Sequence, residues 1–173
     1  MSDFPIPPHE TWDVHDSTKM ASFIECPRKH FYNYMLGWKR KSGNIHLDFG
    51  SAIHTAMEHF NHLRKKNGTG YRLTDRDVAD AVLLFQHEYR ENHPPDEDDY
   101  VKPKDCATGK YAIICYAEEF DLPDSKEKVL HAETSGAVSI DIDRLLYYKC
   151  DVILEDERGI FPRDYKTGQR KSA

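Results

Sequence analysis

Apolar residues recur every three or four positions through the first two-thirds of the chain and then switch to alternation near Val129, so the sequence predicts helices followed by strands. Residues 1–16 hold Pro5, Pro7 and Pro8 and no apolar period, and read as an extended arm. Ser17 and Thr18 are N-cap candidates for a helix running through Phe23 and Ile24 toward Cys26. Pro27 suits the first turn of a second helix, Arg28 to Leu36, which Gly37 closes. A third helix, from about Gly50 to Lys66, puts Ile53, Met57 and Phe60 on one stripe, with His54 and Glu58 on its flank and Gly68 as its stop. Thr74 and Asp77 resemble a capping box opening a fourth helix through Val78, Val82, Phe85 and Tyr89. A long acidic loop, His93 to about Lys104, precedes a fifth around Lys110 to Phe120. Strands are expected at Val129–Glu133, Ala137–Ile142, Leu145–Glu155 and Ile160–Lys166.

The turn chemistry of Asp156-Glu157-Arg158-Gly159 makes the last two strands a hairpin. If the turn centres between Glu157 and Arg158, facing residues sum to 315 and Asp151 lies opposite Asp164. Opposed residues have Cβ atoms ~4.5 to 5.5 Å apart, where like charges repel unless a cation sits between them. Hard oxygen ligands select Mg²⁺ or Mn²⁺. Lys166, two residues from Asp164, shares its face; its ammonium there can orient water and offset charge on a phosphate. The plainer alternative is a surface Asp-Lys ion pair, and Pro162 within the second strand implies an edge or a bulge that shifts the register.

Composition narrows the class. A chain of 173 residues suits one domain, and 39% hydrophobic with 31% charged residues suits a globular fold with a modest core. No apolar run approaches the ~20 residues of a spanning helix. Met1 to Glu10 lacks the pattern of a secretory signal, which implies an intracellular protein. Cys26, Cys106, Cys115 and Cys150 form no C-x-x-C pair, so neither a zinc knuckle nor a disulfide framework is expected. The net charge of -6 excludes a whole-surface nucleic-acid footprint and shifts attention to local clusters: Arg28, Lys29, Lys39, Arg40 and Lys41; Arg64, Lys65 and Lys66; Arg163, Lys166, Arg170 and Lys171. Asp96 to Asp99 reads as a solvated acidic loop.

Several motifs stand in a family's order. Asp164-Tyr165-Lys166-Thr167-Gly168 resembles the D-Y-K-T-G signature of the RecB-like branch of the PD-(D/E)XK nuclease superfamily, which includes CRISPR-associated adaptation exonucleases and AddAB nuclease domains. Lys149 to Ile153 is similar to that branch's G-x-x-D strand without the glycine, and Phe49 to His54 resembles its F-G-x-x-x-H helix. Glu133 sits where these nucleases often carry a glutamate, and Ser22 to Tyr32 resembles their C-P-R helix pair.

The resemblance implies an α/β (α+β), restriction-endonuclease-like fold: a mixed sheet flanked by helices, helical in its N-terminal part and ending in a β-hairpin. It implies a metal-dependent DNA nuclease, an exonuclease that hydrolyses phosphodiesters and leaves 5′-phosphate ends, by a set of residues carried over from the family motifs. In that set Asp151 and Asp164 ligate Mg²⁺ or Mn²⁺, helped by the Tyr165 carbonyl and His54, while Lys166 positions the water and Glu133 stands near the site. Arg28, Lys29, Arg163 and Arg170 are candidate DNA contacts, in recombination, repair or phage- or CRISPR-related processing, with a helicase or adaptation protein as partner. Against these stand plainer roles: His54 as a packed core histidine, Cys26 as a small buried residue, Tyr32 and Tyr34 as structural aromatics. The family's following helix, with its Gln-x-x-x-Tyr motif, has no counterpart here, so residues 17–173 are expected to form a single, C-terminally incomplete domain. Of the cysteines that hold a [4Fe-4S] cluster in some relatives only Cys26 has a match, so no cluster is expected in this chain. A catalytically silent nucleic-acid- or partner-binding module is the alternative.

Overall fold

The computed structural model describes residues 12, 14–38, 43–121 and 126–168. Most of the proposed arm, the basic run Lys39 to Lys41, and Arg170 and Lys171 lie outside the described residues. The chain clusters into two units, residues 1–41 with 135–149 and residues 42–134 with 150–173.

In the first unit, strand β1 (Val14–His15) pairs in parallel with Leu145 and Leu146. Helix α1 (Ser17–Glu25) is capped by Asp16, not by Ser17 or Thr18: Asp16 has the extended backbone that a cap needs, and its carboxylate accepts from the Lys19 N–H at 2.8 Å. Helix α2 (Pro27–His30) is shorter than the expected Arg28–Leu36. From Phe31 to Met35 the chain widens into a π-turn, the Leu36 N–H reaching back to the Phe31 carbonyl at 3.0 Å, before Gly37 takes a positive φ of 67°.

The second unit carries the main core. Helix α3 (Ile45–Asn67), capped by Asn44, starts five residues earlier than the apolar stripe suggested. Helix α4 (Asp75–Asn92) has the capping box of Thr74 and Asp77, and helix α5 (Cys106–Phe120) starts early because Asp105 caps it. Each such cap contributes about 1 kcal/mol. Phe49, Ile53, Met57 and Phe60 of α3 pack against Phe85 and Tyr89 of α4 and Ile113 of α5, all buried.

One close contact fixes α5 against α4. A Cβ at Gly109 would lie 2.0 Å from Cζ of the fully buried Phe85, so α5 meets that ring with its bare backbone. Gly109→Ala is therefore expected to destabilise the protein by about 1 to 3 kcal/mol. The ~1 kcal/mol that alanine's higher helix propensity contributes reduces this cost without reversing it; urea unfolding measures the difference.

The acidic loop is not merely solvated. Asp98 accepts two hydrogen bonds from the Arg90 guanidinium, at 2.8 and 2.7 Å, and Arg90 also donates to the His93 carbonyl. The Arg90 guanidinium holds the Asp98 carboxyl below its ordinary value of 3.8, against the opposing pull of burial. A depressed carboxyl contributes stability that is fully present above pH 3.8 and is lost as pH falls through the lower folded-state value. Arg90→Ala should thus cost about 1 kcal/mol at neutral pH, and the gap between parent and variant in denaturant titrations should close below that pH.

The mixed sheet is built on β3 (Leu145–Asp156), which pairs with β1, with β2 (Lys128–Ser139) and, antiparallel, with β4 (Gly159–Arg163). The two strands expected between residues 129 and 142 are one strand, β2. Its Gly136 is not a break: a Cβ there would come within 2.5 Å of the Tyr148 hydroxyl, so the glycine admits that ring. β4 stops at Arg163, short of Lys166, because the Tyr165 N–H goes to the Asp151 carboxylate. Val152 faces Arg163 and Asp156 faces Gly159, the expected sum of 315. Pro162 causes no shift, since among the described residues β4 pairs with β3 alone and an edge strand tolerates proline. A second buried cluster, Val129, Val152 and Leu154, joins the sheet to Tyr165, which also packs on the helical core.

Candidate functional site

The second unit brings together residues far apart in sequence. The stripe that buries Ile53 and Met57 turns His54, on the adjacent flank of α3, toward β3. Its Nδ1 lies 3.3 Å from Oδ1 of Asp151, a carboxylate only 7% exposed. Glu133 of β2 completes a group in which one ligand atom from each of the three residues lies within 4.8 Å of the others. The Glu133 backbone has a positive φ of 47°.

Asp151 is anchored by a contact the sequence reading missed. The backbone N–H of Tyr165 donates to its Oδ2 at 2.6 Å, while the Tyr165 ring turns inward to donate from its hydroxyl to the buried Asn61 at 3.2 Å. Strand alternation in D-Y-K was a usable signal: it separates Tyr165 from Asp164 and Lys166. Burial pushes the Asp151 carboxyl above its ordinary value. The Tyr165 N–H and His54 oppose that rise, and the adjoining Asp164 carboxyl adds to it.

Carried one residue past the ladder, the register sets Asp164 opposite Asp151, and the two carboxyl groups interact directly. Asp164 is more exposed and forms an ion pair with Lys166. That ammonium, first among the causes, holds the Asp164 carboxyl below its ordinary value, and the same contact raises the Lys166 pKa, keeping the amine protonated at neutral pH. Asp164 lies outside the three-residue ligand group, whereas Glu133, expected only near the site, is in it.

The donors suit a divalent ion. Two carboxylates and an imidazole, with no thiolate, can hold a divalent ion: carboxylate oxygens suit Mg²⁺, Ca²⁺ and Mn²⁺, and imidazole suits Zn, Cu, Fe and Ni. A buried carboxyl with a raised proton affinity is a position where a cation offsets the cost of desolvation.

Of the candidate DNA contacts, Arg28 and Lys29 lie in the first unit and Arg163 in the second, and Arg170 is outside the described residues. Arg163 pairs with Glu127. Lys29 pairs with Glu25 at 2.9 Å, and the Arg28 guanidinium lies over the Tyr32 ring at 5.8 Å. The Cys26 thiol caps α2, accepting from the Lys29 N–H at 3.5 Å. Beside the site, a cleft of about 1380 Å³ has an apolar floor that includes Ile53, Met57 and Tyr116. Arg64, Lys126, Arg158, Arg163 and Lys166 on its walls each pair with an acid.

No curated protein and no solved structure gave a significant match. The family model of the PD-(D/E)XK nuclease superfamily matches residues 17–173. On the strength of that match, which spans the five helices, strands β2 to β4 and every site residue above, the chain belongs to the PD-(D/E)XK nuclease superfamily.

Proposed function

We propose that this protein is a divalent-metal-dependent deoxyribonuclease of the RecB-like branch, acting as an exonuclease, with residues 17–173 as its nuclease domain. The observation that carries the reading is the buried Asp151 carboxylate, set against His54 and Glu133 and beside the Asp164–Lys166 pair. His54, Glu133 and Asp151 would hold Mg²⁺ or Mn²⁺, with Asp164 and the Tyr165 carbonyl adjoining. When bound, the ion supplies Lewis-acid stabilisation of the scissile phosphate. Tyr165 orients Asp151 through its backbone N–H, and Asp164 holds the Lys166 ammonium in place. Lys166 positions a water and offsets negative charge building on the phosphate oxygens; its raised pKa favours this electrostatic role over that of a base. Arg28, Lys29, Arg163 and Arg170 are placed as DNA contacts in this reading. Work on DNA ends in recombination, repair or phage- or CRISPR-related processing, beside a helicase or adaptation protein, follows from the same branch assignment. So does an intracellular location. Among the described residues no helix is long and apolar enough to cross a membrane.

The test is degradation of linear duplex DNA with Mg²⁺ or Mn²⁺ against an EDTA control, beside a covalently closed circle. Loss of the linear form alone supports the exonuclease; equal cutting of the circle makes it an endonuclease. The second reading, a silent binding module, is favoured by the net charge of -6 and by the paired cations of the cleft. It predicts DNA binding in EDTA with no cleavage under any divalent metal.

A further inference from the structure

Trp38 is 63% exposed, yet its ring is held in place. It stacks on Tyr32 with centroids 4.8 Å apart and planes 25° from parallel, and its backbone N–H donates to the Tyr32 carbonyl at 2.9 Å. Arg28, four residues before Tyr32, lies 5.8 Å from the same ring. All three residues belong to the first unit. The local charge is opposite to that of the chain as a whole. From Cys26 to Leu47 the sequence holds Arg28, Lys29, Lys39, Arg40 and Lys41 and no acidic residue, within a protein of net charge -6.

An immobilised, outward-facing indole costs little further ordering when a flat partner stacks on it, and cations beside it favour a partner that is also anionic. Unpaired nucleotides combine a π-face with a phosphate, whereas the bases of a duplex are stacked on one another and present none. We propose that Trp38, Tyr32 and Arg28 form a stacking platform for an unpaired stretch of DNA, with Trp38 taking a base and Arg28 a phosphate. This rests on the nuclease reading for DNA as the ligand, and names single-stranded DNA as the form that this unit engages.

The experiment uses the whole chain in EDTA, so that no cleavage intervenes. Trp12 and Trp38 are its two tryptophans, so Trp12→Phe leaves Trp38 as the sole indole emitter. An oligothymidylate longer than the ~4 to 16 nucleotides of a typical single-strand site should quench that emission saturably. A relaxed, covalently closed duplex circle, which has neither an unpaired loop nor an open end, should bind at least about tenfold more weakly per nucleotide. Trp38→Ala should weaken oligothymidylate binding, read by anisotropy of a labelled strand, roughly five- to a hundredfold, while Trp38→Phe retains most of it. Circular dichroism establishes that each variant is folded, and Arg28→Ala, expected to weaken binding and steepen no quench, provides a variant that leaves the indole intact. Equal affinity for the duplex, absence of quenching, or Trp38→Ala and Trp38→Phe binding alike would each overturn the platform. Quenching that persists in Asp151→Ala separates this proposal from the fate of the cleavage site: the platform stands there even if no metal restores cleavage, and falls if cleavage proceeds while Trp38 is silent.

Discussion

Asp151→Asn should abolish metal-dependent cleavage while leaving the metal-free protein at least as stable as its parent. The substitution keeps shape and the oxygen that accepts from the Tyr165 N–H, and it removes the charge that burial and Asp164 both disfavour. The raised carboxyl gives the sign: a group whose folded-state pKa lies above its unfolded value is most favourable when protonated, and that contribution is lost as pH rises through the folded value. The metal-free parent therefore carries this penalty at neutral pH and the amide does not. Divalent metal acts in the opposite sense, stabilising the parent by mass action and the variant far less. Thermal unfolding with and without Mn²⁺ reads both effects. Changes beside a metal site typically cost ~10 to 100-fold in metal affinity or activity, so removal of a direct ligand should exceed about a hundredfold. An Asp151→Asn protein whose melting point still rises with Mn²⁺ as the parent's does would displace Asp151 from the ligand set.

Lys166→Ala is expected to separate catalysis from metal binding. The ammonium is exposed and touches Asp164, outside the His54, Glu133 and Asp151 group, so metal-induced stabilisation should remain close to that of the parent. Turnover should fall by about 10² to 10³, the typical loss when one preorganised donor to developing charge is removed. The deficit should appear in kcat with little change in KM. Lys166→Arg should recover only part of it, because the guanidinium is longer and planar and cannot place its charge where the ammonium stood. A fall confined to KM would instead make Lys166 a ground-state DNA contact.

The parts of this fold that repeat locally were legible in the sequence. The stripe of Ile53, Met57 and Phe60 is buried because a helical period admits one solution, and the Thr74–Asp77 box marks its own helix start. The hairpin register followed from turn residues and alternation, with Asp156 opposite Gly159. Helix starts at Ile45 and Cys106 were missed because each depends on one capping side chain, Asn44 or Asp105, ahead of any apolar repeat. The residues of the candidate site were visible as motifs, but their division of labour was not. Nothing local to Asp151 and Asp164 says that the first is buried and the second half-exposed, since that difference comes from the packing of α3 and Tyr165. Nor does a sequence position reveal that a backbone N–H, here that of Tyr165, is spent on a carboxylate.

The left-handed backbone of Glu133 has a consequence for what this position can be. A branched or long side chain at that φ carries an energetic handicap of ~1 to 3 kcal/mol that glycine escapes. On the proposed reading, an ion held by the Glu133 carboxylate would offset the handicap, and the conformation of one residue in β2 would tie the stability of the strand to the occupancy of the site.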